Sequence, residues 1–196
     1  MSNKGRPDRI WHIVPLRPPA VRRHCQHCQR RQWFICSEKF RLNRTHGRID
    51  IWLIYKCPVC SSTWNCTLFS RLKVAQLNED LHRRMVANDR RTVWRFAFDR
   101  GVLRANQAEW ERTVDYRVEG EPIDLQTVET DTLRILVTCP LPLPVRVEGL
   151  LARQFGLSRS RVKGLLLDGL VRLEAGSKRI QEDTWILVDV AAIRAL

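Results

Sequence analysis

The pairs Cys25-Gln26-His27-Cys28 and Cys57-Pro58-Val59-Cys60 each hold two thiols two residues apart. That spacing turns the chain tightly enough for both sulfurs to reach one ion. Four thiolates fill a tetrahedral shell and leave no open position for a substrate, so they imply structural chemistry: one Zn2+ bound by Cys25, Cys28, Cys57 and Cys60. Two other readings use the same residues. A redox dithiol needs only one pair, and a disulfide framework suits short secreted chains, whereas this chain has seven cysteines, an odd number. His24 and His27 lie beside and inside the first pair. A complete second pair makes them unnecessary as ligands, and they are expected to face solvent or a polyanion. Cys36, Cys66 and Cys139 stand in apolar, strand-like surroundings and read as small buried hydrophobes.

Something must bring the two pairs together across the 28 residues between Cys28 and Cys57. The sequence there reads as a hairpin. Trp33 to Cys36 and Phe40 to Asn43 are strand-like, Arg44 to Gly47 is a turn, and Arg48 to Lys56 is a longer strand with Ile49, Ile51, Leu53 and Tyr55 on one face. A small antiparallel sheet hung between two CxxC turns is the plan of a zinc ribbon. Further along, Val74, Leu77, Leu81 and Met85 recur at helical spacing and Asn88-Asp89 offers a cap. Val93, Phe96 and Ala97 begin a second helix that is expected to stop near Gly101. Glu109 to Glu129 reads as connector with a short strand at Tyr116 to Val118.

Charge narrows the partner. The 196 residues carry a net +13, and residues 1–71 hold 14 Lys+Arg against 3 Asp+Glu, residues 72–130 hold 10 against 11, and residues 131–196 hold 10 against 7. Basic ends around a balanced middle suit phosphate backbones, whose affinity comes largely from counterion release. In the first segment Arg22, Arg23, Arg30, Arg31, Arg41, Arg44 and Arg48 are interleaved with Trp11, Trp33, Phe34, Phe40, Trp52, Tyr55 and Trp64. Single-stranded nucleic acid is held by such a mixture, bases on rings and phosphates on guanidinium groups. A small ribbon needs large side chains for its core, so Trp52 and Trp64 are expected mostly buried, with Trp33 and the arginines left for contact. No apolar run approaches the roughly 18 residues that span a bilayer, and Met1 to Arg9 has no apolar signal segment, so a cytoplasmic protein without membrane contact is expected.

The last segment opens with a strand, Leu133 to Thr138, followed by Pro140, Pro142 and Pro144, which exclude helix. Val147, Leu150, Leu151 and Phe155 then form the stripe of a helix ended by Gly156. Ser158 caps a second helix carrying Val162, Leu165 and Leu166 as far as Asp168-Gly169. Val171 to Leu173 and Trp185 to Val188 read as strands.

The stretch Arg146-Val147-Glu148, Leu150-Leu151, Leu157-Ser158-Arg159-Ser160-Arg161 and Asp168-Gly169-Leu170-Val171-Arg172-Leu173 resembles the RNA-binding domain named after small-subunit ribosomal protein S-four. The resemblance implies two short helices on a small sheet, with structured RNA held by Arg146, Arg159, Arg161 and Lys163; Arg153 and Arg172 of the same stretch join them as candidates. The chain departs from that pattern at Val147-Glu148, at Glu174-Ala175-Gly176 and at Glu182-Asp183. A second resemblance rests on Cys25-x-x-Cys28, Ser37 to Asn43, Asp50 to Cys57, Thr63-Trp64-Asn65 and Asn88-Asp89, which are similar to a bacterial family known only as domain of unknown function 1062.

The sequence therefore predicts an α+β chain in three segments: a basic zinc ribbon (1–71), a helical and connector segment (72–130) and an S-four-like RNA-binding domain (131–196). The expected function is non-catalytic binding of structured RNA, ribosomal or transfer RNA being the kind in view. There is no nucleotide-binding glycine loop and no acid and base at a motif spacing, and the expected zinc is saturated. A zinc-ribbon DNA-binding regulator and a protein-interaction adaptor are the alternatives.

Overall fold

The computed structural model describes residues 6–174, 179–180 and 182–196. In chain order its elements begin with strands β1 (Arg9–Pro15), β2 (Val21–Cys25), β3 (Arg30–Thr45), β4 (Arg48–Lys56) and β5 (Thr63–Lys73). Helices α1 (Glu79–Val86), α2 (Arg90–Ala97) and α3 (Arg100–Ala105) follow, then strands β6 (Glu109–Trp110), β7 (Tyr116–Glu119) and β8 (Thr132–Thr138). The chain closes with α4 (Val147–Gln154), α5 (Arg159–Leu167), β9 (Val171–Leu173), β10 (Asp183–Asp189) and α6 (Val190–Arg194). The fold is mixed α+β with two five-stranded sheets. No helix among the described residues is long and apolar enough to cross a membrane. Two compact units form: a central unit, Arg17–Val114, and a terminal unit made of Met1–Leu16 with Asp115–Leu196.

The central unit is built on an antiparallel sheet of order β5-β4-β3-β2-β6. Alternation decides its faces: Ile49, Ile51, Leu53 and Tyr55 of β4 are all buried, as are Phe34, Cys36 and Phe40 of β3. The two expected strands around Phe40 are one long strand, β3, whose pairing with β4 shifts between Cys36 and Lys39. Ser37 and Glu38 are the extra residues, and Glu38 takes a left-handed φ of 56°. Asn88 secures this bulge by accepting the Phe40 backbone N–H at 2.7 Å, and Glu38 accepts the Trp94 indole N–H at 3.2 Å. Helix α2 lies over the buried face, where Phe96 meets Phe40 and Phe69 edge-on at 6.2 and 6.1 Å.

Capping sets the helix boundaries. Asn78, Asp89 and Asp99 each accept a first-turn N–H, in α1, α2 and α3 respectively. The second helix thus ends before Asp99, and Gly101 lies inside α3 instead of stopping α2. Asp99 is the reason: its carboxylate accepts from Gly101 and Val102 and starts a new helix there.

The terminal unit holds the sheet β7-β1-β8-β10-β9, in which β1 runs parallel to β8 and antiparallel to β7. Trp11 of β1 is fully buried, stacks at a tilt 5.8 Å from Phe155 and donates its indole N–H to the Glu121 carbonyl at 3.1 Å. It is a core residue of the C-terminal half and not part of the basic aromatic surface expected of residues 1–71. Gly120 makes this approach possible: a Cβ there would lie 2.5 Å from Trp11 Cδ1, and its φ is 138°. Helices α4 and α5 bury Val147, Leu150, Leu151, Val162 and Leu165. Gly156 and Gly169 end them at φ 64° and 71°, and Ser158 accepts the Arg161 N–H as the N-cap of α5. Ala175 and Gly176, where the sequence departs from the S-four pattern, lie outside the described residues.

Candidate metal centre and basic surfaces

Strand β2 delivers Cys25 and strand β4 runs into Cys57, so the sheet itself carries one cysteine of each pair to the same end. Each pair then turns back in the same way. Cys25 is in register with Arg30, and Cys57 donates its N–H to the Ser62 carbonyl at 2.8 Å, a loop of equal length in both cases. The residue after each second cysteine is left-handed: Gln29 at φ 51° and Ser61 at φ 62°. Two equivalent knuckles result, facing each other.

The four sulfurs all lie within 4.8 Å of one another. Cys25 Sγ is 3.5 Å from Cys60 Sγ, and Cys28 Sγ is 3.9 Å from Cys57 Sγ. A tetrahedral ion with metal–sulfur bonds of about 2.3 Å would set them about 3.8 Å apart. A disulfide would bring one pair to about 2.05 Å, whereas all seven cysteines are free. The short contacts also run between the knuckles, the pattern of a shared ion and not of two separate dithiols. Cys25 and Cys57 are buried and Cys60 is exposed, so the group sits at the surface with an entry path.

Electrostatics agree with that geometry. Ser62 Oγ lies 3.2 Å from Cys25 Sγ and 3.1 Å from Cys60 Sγ. This contact lowers both thiols, drawing Cys25 down to about 6, while burial and the neighbouring sulfurs push Cys28 up to about 12. Thiolates this close resist accumulating charge unless a cation is shared among them. Ser62 orients the sulfurs from outside the ligand set, a role the spacing of cysteines did not suggest. Cys36, Cys66 and Cys139 are buried core residues, and burial pushes Cys36 and Cys66 up to about 12. His24 and His27 are exposed.

Charge is divided unequally between the units. The central unit holds 20 Lys+Arg against 8 Asp+Glu, a net +12, and the terminal unit 14 against 13, a net +1. The seven arginines singled out in the central unit have different fates. Arg23 donates to the Asn106 carbonyl at 2.8 Å and lies 4.5 Å from the Trp64 ring centre. Arg48 donates to the Arg71 carbonyl at 2.9 Å. Arg31 pairs with Glu109 at 2.8 Å and Arg22 with the same carboxylate at 3.7 Å. Arg30, Arg41 and Arg44 are exposed and make no ion pair among the described residues. Trp33 is 40% exposed as expected, while Trp52 and Trp64 are half-buried and not mostly buried.

In the terminal unit, Arg146, Arg153, Arg159, Arg161, Lys163 and Arg172 are all exposed, and none forms an ion pair among the described residues. Arg153 lies 5.4 Å from the Tyr116 ring centre, and Arg159 is near enough to help offset the upward push that burial gives Tyr116. Tyr116 of β7 thus joins Arg153 and Arg159, a grouping no local sequence signal reveals.

The profile of a family described as a protein of unknown function (DUF1062) matches residues 42–177. No curated protein and no solved structure matches the chain. The matched region omits Cys25 and Cys28 but includes Cys57, Cys60, the bulge-securing Asn88 and both helices α4 and α5. Since the match spans well over half of the sequence, the chain belongs to the DUF1062 family.

Proposed function

We propose that this protein is a non-catalytic RNA-binding protein, in which a zinc-held ribbon in the central unit and an S-four-like helix pair in the terminal unit hold structured RNA. The observation that carries the reading is the cluster of six exposed cations on and around α4 and α5, none with a carboxylate partner among the described residues. Val147, Leu150, Leu151, Val162 and Leu165 already supply the packing of those helices, so the cations are not needed for the fold. Their concentration around one helix pair in a unit of net +1 favours a polyanion docked at this place over a merely solvated surface. The order α4, α5, β9, β10 is what the resemblance to the S-four-type domain leads one to expect.

The zinc assignment supports the same reading through the central unit. Cys25, Cys28, Cys57 and Cys60 would hold the ion, and when bound it would cross-link the two knuckles and neutralise their charge. Ser62 keeps two of the sulfurs oriented, and Gln29 and Ser61 close the turns.

Competition binding by the intact chain among a structured RNA, duplex DNA and unstructured single strands tests the function. Structured RNA is expected to compete best, at a fixed salt concentration. Preference for duplex DNA would overturn the reading in favour of a DNA-binding regulator, and no salt-dependent binding to any nucleic acid would favour a protein adaptor.

A further inference from the structure

Helix α2 lies over one face of the central sheet, where Phe96 meets Phe40 and Phe69. Residues of β3 and β4 that pair directly across the strands share a face, and Phe40 pairs with Leu53 and Cys36 with Tyr55 on the buried side. The opposite side presents Arg22 paired with Trp33, Ile35 paired with Lys56, Lys39 paired with Ile54, and Arg41 paired with Trp52. Two arginine–tryptophan pairs therefore bracket the exposed Ile35 and two lysines, with Ile54 buried between them. The Arg22 guanidinium lies 5.9 Å from the Trp33 ring centre, and Trp33 and Ile35 are 40% and 43% exposed. Six strand steps separate the two pairs, roughly 20 Å at about 3.3 Å per residue. Glu109 meets Arg22 at one end, and Asp50 accepts the Arg71 N–H near the other. Lys39, Arg41 and Lys56 have no carboxylate partner among the described residues.

We propose that this opposite face is a stacking surface for a single-stranded RNA segment, with Trp33 and Trp52 beneath bases and Arg22, Lys39, Arg41 and Lys56 on phosphates. The inference rests on the RNA-binding reading above and adds to it that the RNA carries an unpaired segment beside its folded part. Charge complementarity selects the occupant. Exposed Trp33 and Ile35 ringed by cations repel a basic protein surface and suit a polyanion whose bases have free π-faces. A duplex hides those faces, so it would meet only the cations.

The test compares two RNAs on the intact, zinc-loaded chain: a blunt hairpin, and the same hairpin with a ten-nucleotide single-stranded overhang. The wild-type chain is expected to bind the overhang form about ten-fold or more tightly than the blunt form, the worth of one or two stacked bases. Trp33→Ala should remove most of that gain and leave affinity for the blunt hairpin within about two-fold. Arg41→Ala, at an exposed site outside the core, should reduce the gain independently. Unchanged circular dichroism and zinc content show that the variants are folded. Equal binding of both RNAs by the wild type, or a full overhang gain in both variants, overturns the stacking face and leaves the RNA-binding reading standing. Failure of the wild type to bind either RNA overturns both. Tighter binding of a deoxyribose overhang than of the ribose one overturns the assignment to RNA.

Discussion

The two units meet the problem of folding with different means. The central unit carries a net +12 and brings its cysteine pairs to one end of its sheet, whereas the terminal unit carries a net +1 and closes around Trp11, Phe155 and the apolar faces of α4 and α5. Self-repulsion among like charges opposes compaction, so the central unit gains most from an added cross-link at its cysteine end. The terminal unit relies instead on a strand, β1, brought in from the far end of the chain. Charge and cross-linking potential coincide: the unit richest in cations is the one whose four cysteines could hold a metal ion.

Removing the metal should separate the units most strongly. Changing Cys57 and Cys60 to Ser, or adding a chelator, is expected to lower the stability of the central unit by on the order of 5 kcal/mol or more, with little change in the terminal unit. Thermal unfolding followed with the metal content measured in parallel would check this. One cooperative transition shifting as a whole would break the comparison, as would full retention of zinc in the double variant.

Trp11→Ala makes the reciprocal cut. Loss of a fully buried indole with its hydrogen bond to Glu121 should cost the terminal unit about 4 kcal/mol and leave zinc binding intact. Denaturant unfolding of the full chain, read by near-ultraviolet circular dichroism and zinc release, distinguishes the outcomes. In the variant, zinc release at the same lowered denaturant concentration as unfolding of the terminal unit would show that the units are not separable in this way.

Glu111→Gln is a smaller test within the central unit. Glu111 accepts two hydrogen bonds from Arg17, at 2.6 and 2.8 Å, and one from the Ala20 N–H at 3.2 Å. The Arg17 guanidinium is the main reason its carboxyl lies below the ordinary value of 4.5, with the Ala20 N–H adding to it against partial burial. A depressed carboxyl stabilises the fold fully above its unfolded value and loses that contribution as pH falls through the folded value. The variant should therefore be about 1 kcal/mol less stable at pH 7, with the difference shrinking below about pH 4.5. A difference that grew on acidification would contradict the pairing.

What could be read from the sequence was whatever local pattern controls. The β4 alternation, the caps Asp89 and Ser158, the helix-ending Gly156 and the two CxxC turns are each decided within a few residues, and the structure places them as their spacing suggests. The pairing of β1 with β8 joins Trp11 to Val137, and nothing in either strand announces a partner so distant. Charge segments drawn along the sequence consequently assigned residues 1–16 to the ribbon, although they belong to the terminal unit. The left-handed Gln29 and Ser61 escaped notice because neither is glycine, the residue that usually marks such a turn. Glu109 pairs with two of the candidate arginines, Arg31 closely and Arg22 at 3.7 Å, from a strand far along the chain, so their ion pairing could not be judged from their sequence neighbours.

The most direct test of the RNA-binding account is the salt dependence of structured-RNA affinity for the intact chain and for the combined variant Arg159→Ala, Arg161→Ala, Lys163→Ala. Each phosphate contact removed lowers the slope of log affinity against log salt by about 0.7 to 0.9. The account predicts a folded variant, weaker binding and a slope shallower by about 2. Equal affinity and equal slope for variant and parent would contradict it.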